Sequence, residues 1–76
     1  MKRVKIINYN TDYLTPSQGV DFIVGLLREL LSISIDEAVS LFTNACRRTV
    51  QTIEVIDCSI LSSKRLESIG FNIVIL

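Results

Sequence analysis

Val20-Asp21-Phe22-Ile23-Val24-Gly25-Leu26-Leu27-Arg28-Glu29-Leu30-Leu31-Ser32-Ile33-Ser34-Ile35-Asp36-Glu37-Ala38 is the stretch whose reading decides the fold. Up to Ser32 its apolar residues recur at helical spacing. Val20, Ile23, Val24, Leu27 and Leu31 make one stripe, and Phe22, Leu26 and Leu30 make a second beside it. Asp21, Gly25, Arg28 and Ser32 leave one polar strip. A helix that is apolar on more than one face must be covered, either by its own domain or by a partner. The pattern then breaks. Ser34, followed three residues later by Glu37, is a capping box, so a second helix starts at Ser34. Asp36 and Glu37 suit its positive N-terminal end, and Arg47 and Arg48 suit its negative C-terminal end. Ala38, Leu41, Phe42 and Ala45 form its apolar face.

Upstream, Thr15-Pro16-Ser17-Gln18 reads as a helix start. Thr15 is the cap, Pro16 occupies the first helical position and Gln18 reaches back, which predicts the first helix over 16–31. Residues 2–8 read as a strand with Val4 and Ile6 on one face and Arg3, Lys5 and Ile7 on the other; 9–14 read as a polar loop. Downstream, the β-branched run 49–56 predicts a second strand. Asp57 is expected to cap a third helix. Ile56 and Leu61 would staple its start, and Ile60, Leu61, Leu66 and Ile69 would face inward. Gly70 ends that helix, because glycine tolerates the left-handed conformation. Residues 71–76 form a last strand.

The order β-α-α-β-α-β predicts one compact α+β domain over 1–76. It is a two-layer sandwich: a small three-stranded, mostly antiparallel sheet with three helices on one face. Val4, Ile6, Ile53, Val55, Phe71, Ile73 and Ile75 would line the helix side, leaving Ile7, Ile56, Val74 and Leu76 for the other. A chain of 76 residues buries only about 60% of its unfolded surface. Its 49% apolar content compensates for that and argues against disorder.

Composition also excludes several functions. Formal net charge is zero, and seven of the eight basic residues fall in three small groups, with Arg28 apart, rather than in a stripe, which argues against nucleic-acid binding. There is no histidine, so Cys/His zinc sites and histidine acid–base chemistry are absent. No glycine-rich phosphate loop or nucleophile elbow occurs, and no cofactor or metal site emerges. The reading is therefore non-enzymatic. Two cysteines, Cys46 and Cys58, make no disulfide framework. No apolar run approaches bilayer length, and the basic N-terminus lacks a following apolar segment. The expectation is a cytoplasmic protein without a membrane partner.

Gly25 is the residue hardest to explain within the helix. Glycine in a helix interior costs about 0.8–1 kcal/mol relative to alanine. Close approach of another backbone would compensate, from the second helix or from a partner protein. Phe22, Leu26 and Leu30 likewise meet either the other two helices or a partner, and Arg28 faces either a partner or solvent.

The element order and its marker residues resemble one superfamily, which contains the C-terminal domain of the bacterial ribosomal stalk protein and the ClpS protease adaptor. Ile23-Val24 with Leu27-Arg28 is similar to the stalk's Val-Ile-x-x-Val-Arg. The run 35–42 resembles its Leu-Lys-Glu-Ala-Lys-x-Leu-Val, and 66–73 its Leu-x-x-Ala-Gly-Ala-x-Val. Gly25 stands where that family has lysine, and Ser32 and Ser34 where it has glycines. The run 10–16 is similar to the Asn-Asp-Asp-Tyr-Thr-Pro of ClpS with one extra residue, and Lys64 matches a family lysine. The ClpS histidine falls on Cys46. The resemblance implies the β-α-α-β-α-β fold and a binding role. On the ClpS side it implies Asn10, Asp12 and Thr15 as ligand-facing residues, although Asp12 also suits a local turn. The candidate partner-binding residues are thus Asn10, Asp12, Thr15, Phe22, Gly25, Leu26, Arg28 and Leu30. The expected function is a protein-binding module, adaptor-like or regulatory, docking on a larger protein or machine. The alternatives are a translation-associated module similar to the stalk's factor-binding domain, or a self-associating structural protein that forms homo-oligomers.

Overall fold

In a computed structural model, which describes residues 2–56 and 58–76, β1 (Lys2–Tyr9) runs through the middle of a three-stranded sheet. It pairs antiparallel with β2 (Gln51–Val55) on one side and with β3 (Phe71–Ile75) on the other. Val4 lies opposite both Ile53 and Ile75. A single 3-10 turn (Thr11–Tyr13) follows β1, and then come α1 (Val20–Leu31) and α2 (Ile35–Cys46). α3 (Ile60–Ser68) connects β2 to β3. The fold is α+β, with the element order expected from the sequence.

The alternation of β1 and β3 shows which face is covered. Val4, Ile6, Val55, Phe71 and Ile73 are buried, with Ile53 and Ile75 half-buried beside them. Arg3, Thr52, Glu54, Asn72 and Val74 are exposed on the opposite face. α2 packs on β1, α3 packs on β3, and α1 lies against α2 and α3. Ile23, Leu27 and Leu31 of α1 and Ala38, Leu41, Phe42 and Ala45 of α2 complete the core. Among the described residues, no helix is long and apolar enough to cross a membrane.

β1 carries one irregularity. Ile6 opposes Ile73, yet Asn8 opposes Asn72, so β1 holds one residue more than β3 over this stretch. Such a bulge reverses the facing of every residue beyond it. Tyr9 thereby turns inward, opposite Phe71, and its ring centroid lies 4.7 Å from Phe71 and 5.1 Å from Phe42. Simple alternation would have placed Asn8 in the core. The strand thus continues one residue beyond the 2–8 expected, and Tyr9 is not part of the polar loop.

The first helix starts later than expected. The Thr15 hydroxyl does accept the Gln18 N–H, at 3.0 Å, but the two residues also bond through their backbones and close a separate turn. Gly19 then stands as the cap, in extended conformation and without a side-chain bond, and α1 begins at Val20. At its other end Ser32 adopts the left-handed conformation (φ 53°) and the Ile33 N–H reaches the Arg28 carbonyl at 3.2 Å. That is the hydrogen bond of a Schellman motif. Ser34 caps α2 as expected: its hydroxyl accepts the Glu37 N–H at 3.2 Å and donates to the Glu37 carboxylate.

The third helix departs most from expectation. Asp57 lies outside the described residues. Ser59 is the cap, accepting the Ser62 N–H at 3.0 Å, so α3 starts at Ile60. Cys58 is buried just before that cap, and the helix then meets the core through Ser63 and Leu66, with Ile69 following. Ile60 and Leu61, expected inside, are exposed, as is Ile56. Ile56 and Leu61, expected to staple the start of the helix, both stand largely in solvent, and the described residue buried between them is Cys58. Gly70 has φ 115°, and a Cβ there would lie 2.9 Å from the Tyr9 ring.

Candidate functional site

α1 and α2 form a hairpin whose outer side is not closed by the other described residues. Between them runs an apolar groove of about 490 Å³. Val24 and Phe42 floor it and are nearly fully buried. Val20 from α1 and Ile35 and Val39 from α2 stand on its rim, each about half exposed. Ile35 and Val39 are one turn apart, and Phe42 follows at the next, so all three share one side of α2. Asp21 and Arg28 sit two turns apart on α1, which gives the groove an acidic and a basic end. A shallower recess of about 510 Å³ continues from it, sharing Gly25 and Arg28 and adding Glu29, Ser32 and Ile33.

Gly25 lies on this open side. A Cβ built there meets nothing within 4 Å. Of the two neighbours offered for Gly25, the second helix is therefore set aside: the missing side chain makes room, and nothing among the described residues fills it. Arg28 lies in the same groove. Phe22, Leu26 and Leu30 do not line it. Leu26 and Leu30 are partly buried and pack on the core, while Phe22 remains exposed. The second stripe of α1 is thus largely absorbed by the fold.

A second, polar recess of about 480 Å³ lies at the end of β1. Asn10 and Asp12 line it from the turn after the strand, and Cys46 and Arg48 from the end of α2. The Asn10 side chain accepts the Asp12 N–H at 3.0 Å, so this turn is internally braced, and the Asn10 N–H bonds the Gly70 carbonyl at 2.8 Å. Thr15 lies outside the recess, its hydroxyl used in the turn with Gln18. Tyr9, which sequence reasoning missed, also lines it. Its hydroxyl is buried and makes no hydrogen bond among the described residues. Burial pushes the phenol above its ordinary value of 10.0, and the neighbouring Cys46 adds to the shift. Burial likewise pushes the Cys46 thiol above 9.0, which keeps it protonated and poorly nucleophilic at neutral pH.

The sequence reading offered its eight candidates as one partner surface; the structure instead brings Gly25 and Arg28 together in the groove and Asn10 and Asp12 together in the polar recess. The sequence reading missed the α2 wall of the groove. The signal was present: Ile35 and Val39 are apolar at helical spacing and extend the Ala38, Leu41, Phe42 and Ala45 face on its Phe42 side. No family model, no curated protein and no solved structure matches this chain.

Proposed function

We propose that this protein is a non-enzymatic binding module, adaptor-like or regulatory, that docks an amphipathic helix of a larger protein in the groove between α1 and α2. One observation carries the reading: the apolar groove over Val24 and Phe42 is left open, with Gly25 supplying free space in the middle of its α1 wall. An amphipathic helix laid on two others is held by apolar side chains at turn spacing. The charges specify more. A partner helix would place a cation near Asp21 and, two turns along, an anion near Arg28, with its apolar face on Val24, Val39 and Phe42. The resemblance to the ClpS adaptor and the stalk domain supports the same class of role, since both are small modules that bind other proteins.

Tagged wild type and Gly25→Arg, compared in native lysate, would yield the partner. The purified partner is then titrated into isotopically labelled protein and followed by NMR. The expected perturbations centre on Val20, Gly25, Val39 and Thr43, with binding by Gly25→Arg weaker by about tenfold or more. Equal recovery by both proteins, or perturbations confined to the Asn10 recess, would sink the assignment.

A second reading, a translation-associated module, is supported by Arg28, which matches the arginine of the stalk-like run and lines the groove; Gly25, standing where that family has lysine, counts against it. Titration with purified elongation factors separates the two. Absence of binding at high micromolar concentration removes the translation reading and leaves the docking site untouched.

A further inference from the structure

Residues 50–56 read Val-Gln-Thr-Ile-Glu-Val-Ile, and their central five form β2, an outer strand of the sheet. An outer strand leaves one row of backbone N–H and C=O groups unpaired by the sheet. Proteins usually blunt such an edge with lysine, proline, a bulge or a covering element. β2 contains neither lysine nor proline, and its register with β1 is regular from Lys2 opposite Val55 to Ile6 opposite Gln51. Gln51 is tied down, its side chain donating to the Leu41 carbonyl and accepting from Asn44. Ile53, at the centre, is only half-buried, whereas Ile73 on the other outer strand is buried and α3 packs along that strand. The three most exposed large apolar side chains among the described residues are Leu61, Ile56 and Ile60, at 79%, 76% and 69%; Ile56 directly follows β2, and Ile60 and Leu61 open α3. Val50, just before β2, is 52% exposed.

The strand's own order says what fits this edge. Two identical strands paired antiparallel about a twofold axis set one residue opposite its own copy. A pairing centred on Glu54 would set carboxylate against carboxylate, which repels. A pairing centred on Thr52 would set Ile53 against Gln51 and Glu54 against Val50. A pairing centred on Ile53 sets Ile53 against Ile53, Gln51 against Val55, Thr52 against Glu54, to which its hydroxyl can hydrogen-bond, and Val50 against Ile56 at both ends. The two exposed flanking side chains thus cover each other by symmetry.

We propose that β2 pairs antiparallel with β2 of a second copy of this chain, in the register centred on Ile53, so that the two three-stranded sheets become one continuous sheet. The contact lies on the sheet edge and leaves the α1–α2 groove free.

Sedimentation velocity over a concentration series tests this, using variants at positions outside the strand whose side chains are exposed, with circular dichroism confirming the fold. Wild type is expected to sediment as a monomer–dimer equilibrium. Val50→Lys with Ile56→Lys sets lysine against lysine at both ends and is expected to weaken dimerisation by about tenfold or more. Val50→Glu with Ile56→Lys sets opposite charges together and is expected to recover most of that loss. Monomeric wild type at every concentration would overturn the proposal. So would equal dimerisation of the two double variants, which would place the contact elsewhere or in another register.

Discussion

Gly25→Ala separates the two reasons a helix can contain glycine. If glycine is there because the protein's own backbone approaches, alanine will clash and destabilise. The space around Gly25 argues the reverse, since an added Cβ meets nothing within 4 Å. Gly25 is interior to α1, with five residues before it and six after. Alanine there should gain the full helix-propensity difference, about 0.8–1 kcal/mol, chiefly by restricting the unfolded chain. For a domain of this size the urea dependence is about 1 kcal/mol per molar, so the unfolding midpoint should rise by about 0.8–1 M. The melting temperature should rise by about 4–8 °C. Urea titration followed by far-UV circular dichroism measures the first, and calorimetry the second. An unchanged or lowered midpoint would refute the reasoning, because it would mean that the free protein uses the space at Gly25. A raised midpoint would show the chain forgoing stability at the middle of its open groove, as binding sites commonly do.

Other substitutions test the remaining geometry. Gly70→Ala forces a positive φ on a residue with a Cβ and drives it against the Tyr9 ring and the Asn10 carbonyl. It should cost at least about 2 kcal/mol in chemical denaturation. Ile60→Ser with Leu61→Ser should change stability by no more than about 0.5 kcal/mol per site, because both side chains are already in solvent; a loss of several kcal/mol would put them back in the core. Alkaline pH should destabilise the fold. Cys46 and Tyr9 hold their protons more tightly folded than unfolded. The folded state therefore binds more protons above the ordinary values of 9.0 and 10.0, and stability, full below them, falls as pH rises through that range. Tyr9→Phe should make the high-pH decline shallower, as read from denaturation midpoints at stepped pH.

Much of the fold is legible in local chemistry. Ser34 and Glu37 mark the start of α2 because their hydrogen bonds are made within four residues and need no tertiary context. The helix-facing set on the strands follows from alternation alone up to Ile6. The failures have a common cause in competing local options. Thr15 makes its expected bond to the Gln18 N–H, but the same bond closes a free-standing turn, and the flexible backbone of Gly19 lets the chain change direction before α1. The sequence reading took Asp57 as the cap, whereas Ser59 caps α3, directly after the buried Cys58. The groove was half legible. Gly25 stands out in any helix, whereas Ile35 and Val39 acquire meaning only once the packing of α2 leaves their side uncovered.

The strand order also bears on how the chain comes off the ribosome. β1 is made first yet sits in the centre of the sheet, and its neighbours are β2 and β3, the latter the last element described. Val4 and Ile6 therefore have no sheet partner while α1 and α2 are being synthesised. The two helices can form and pair early on local contacts, which makes the hairpin with the groove the natural first folded unit. The sheet closes last, when Phe71 reaches Tyr9 across the bulge. β1 has both edges open until β2 is made and one edge open until β3 follows, so nascent chains stalled before residue 51 are the ones most expected to aggregate.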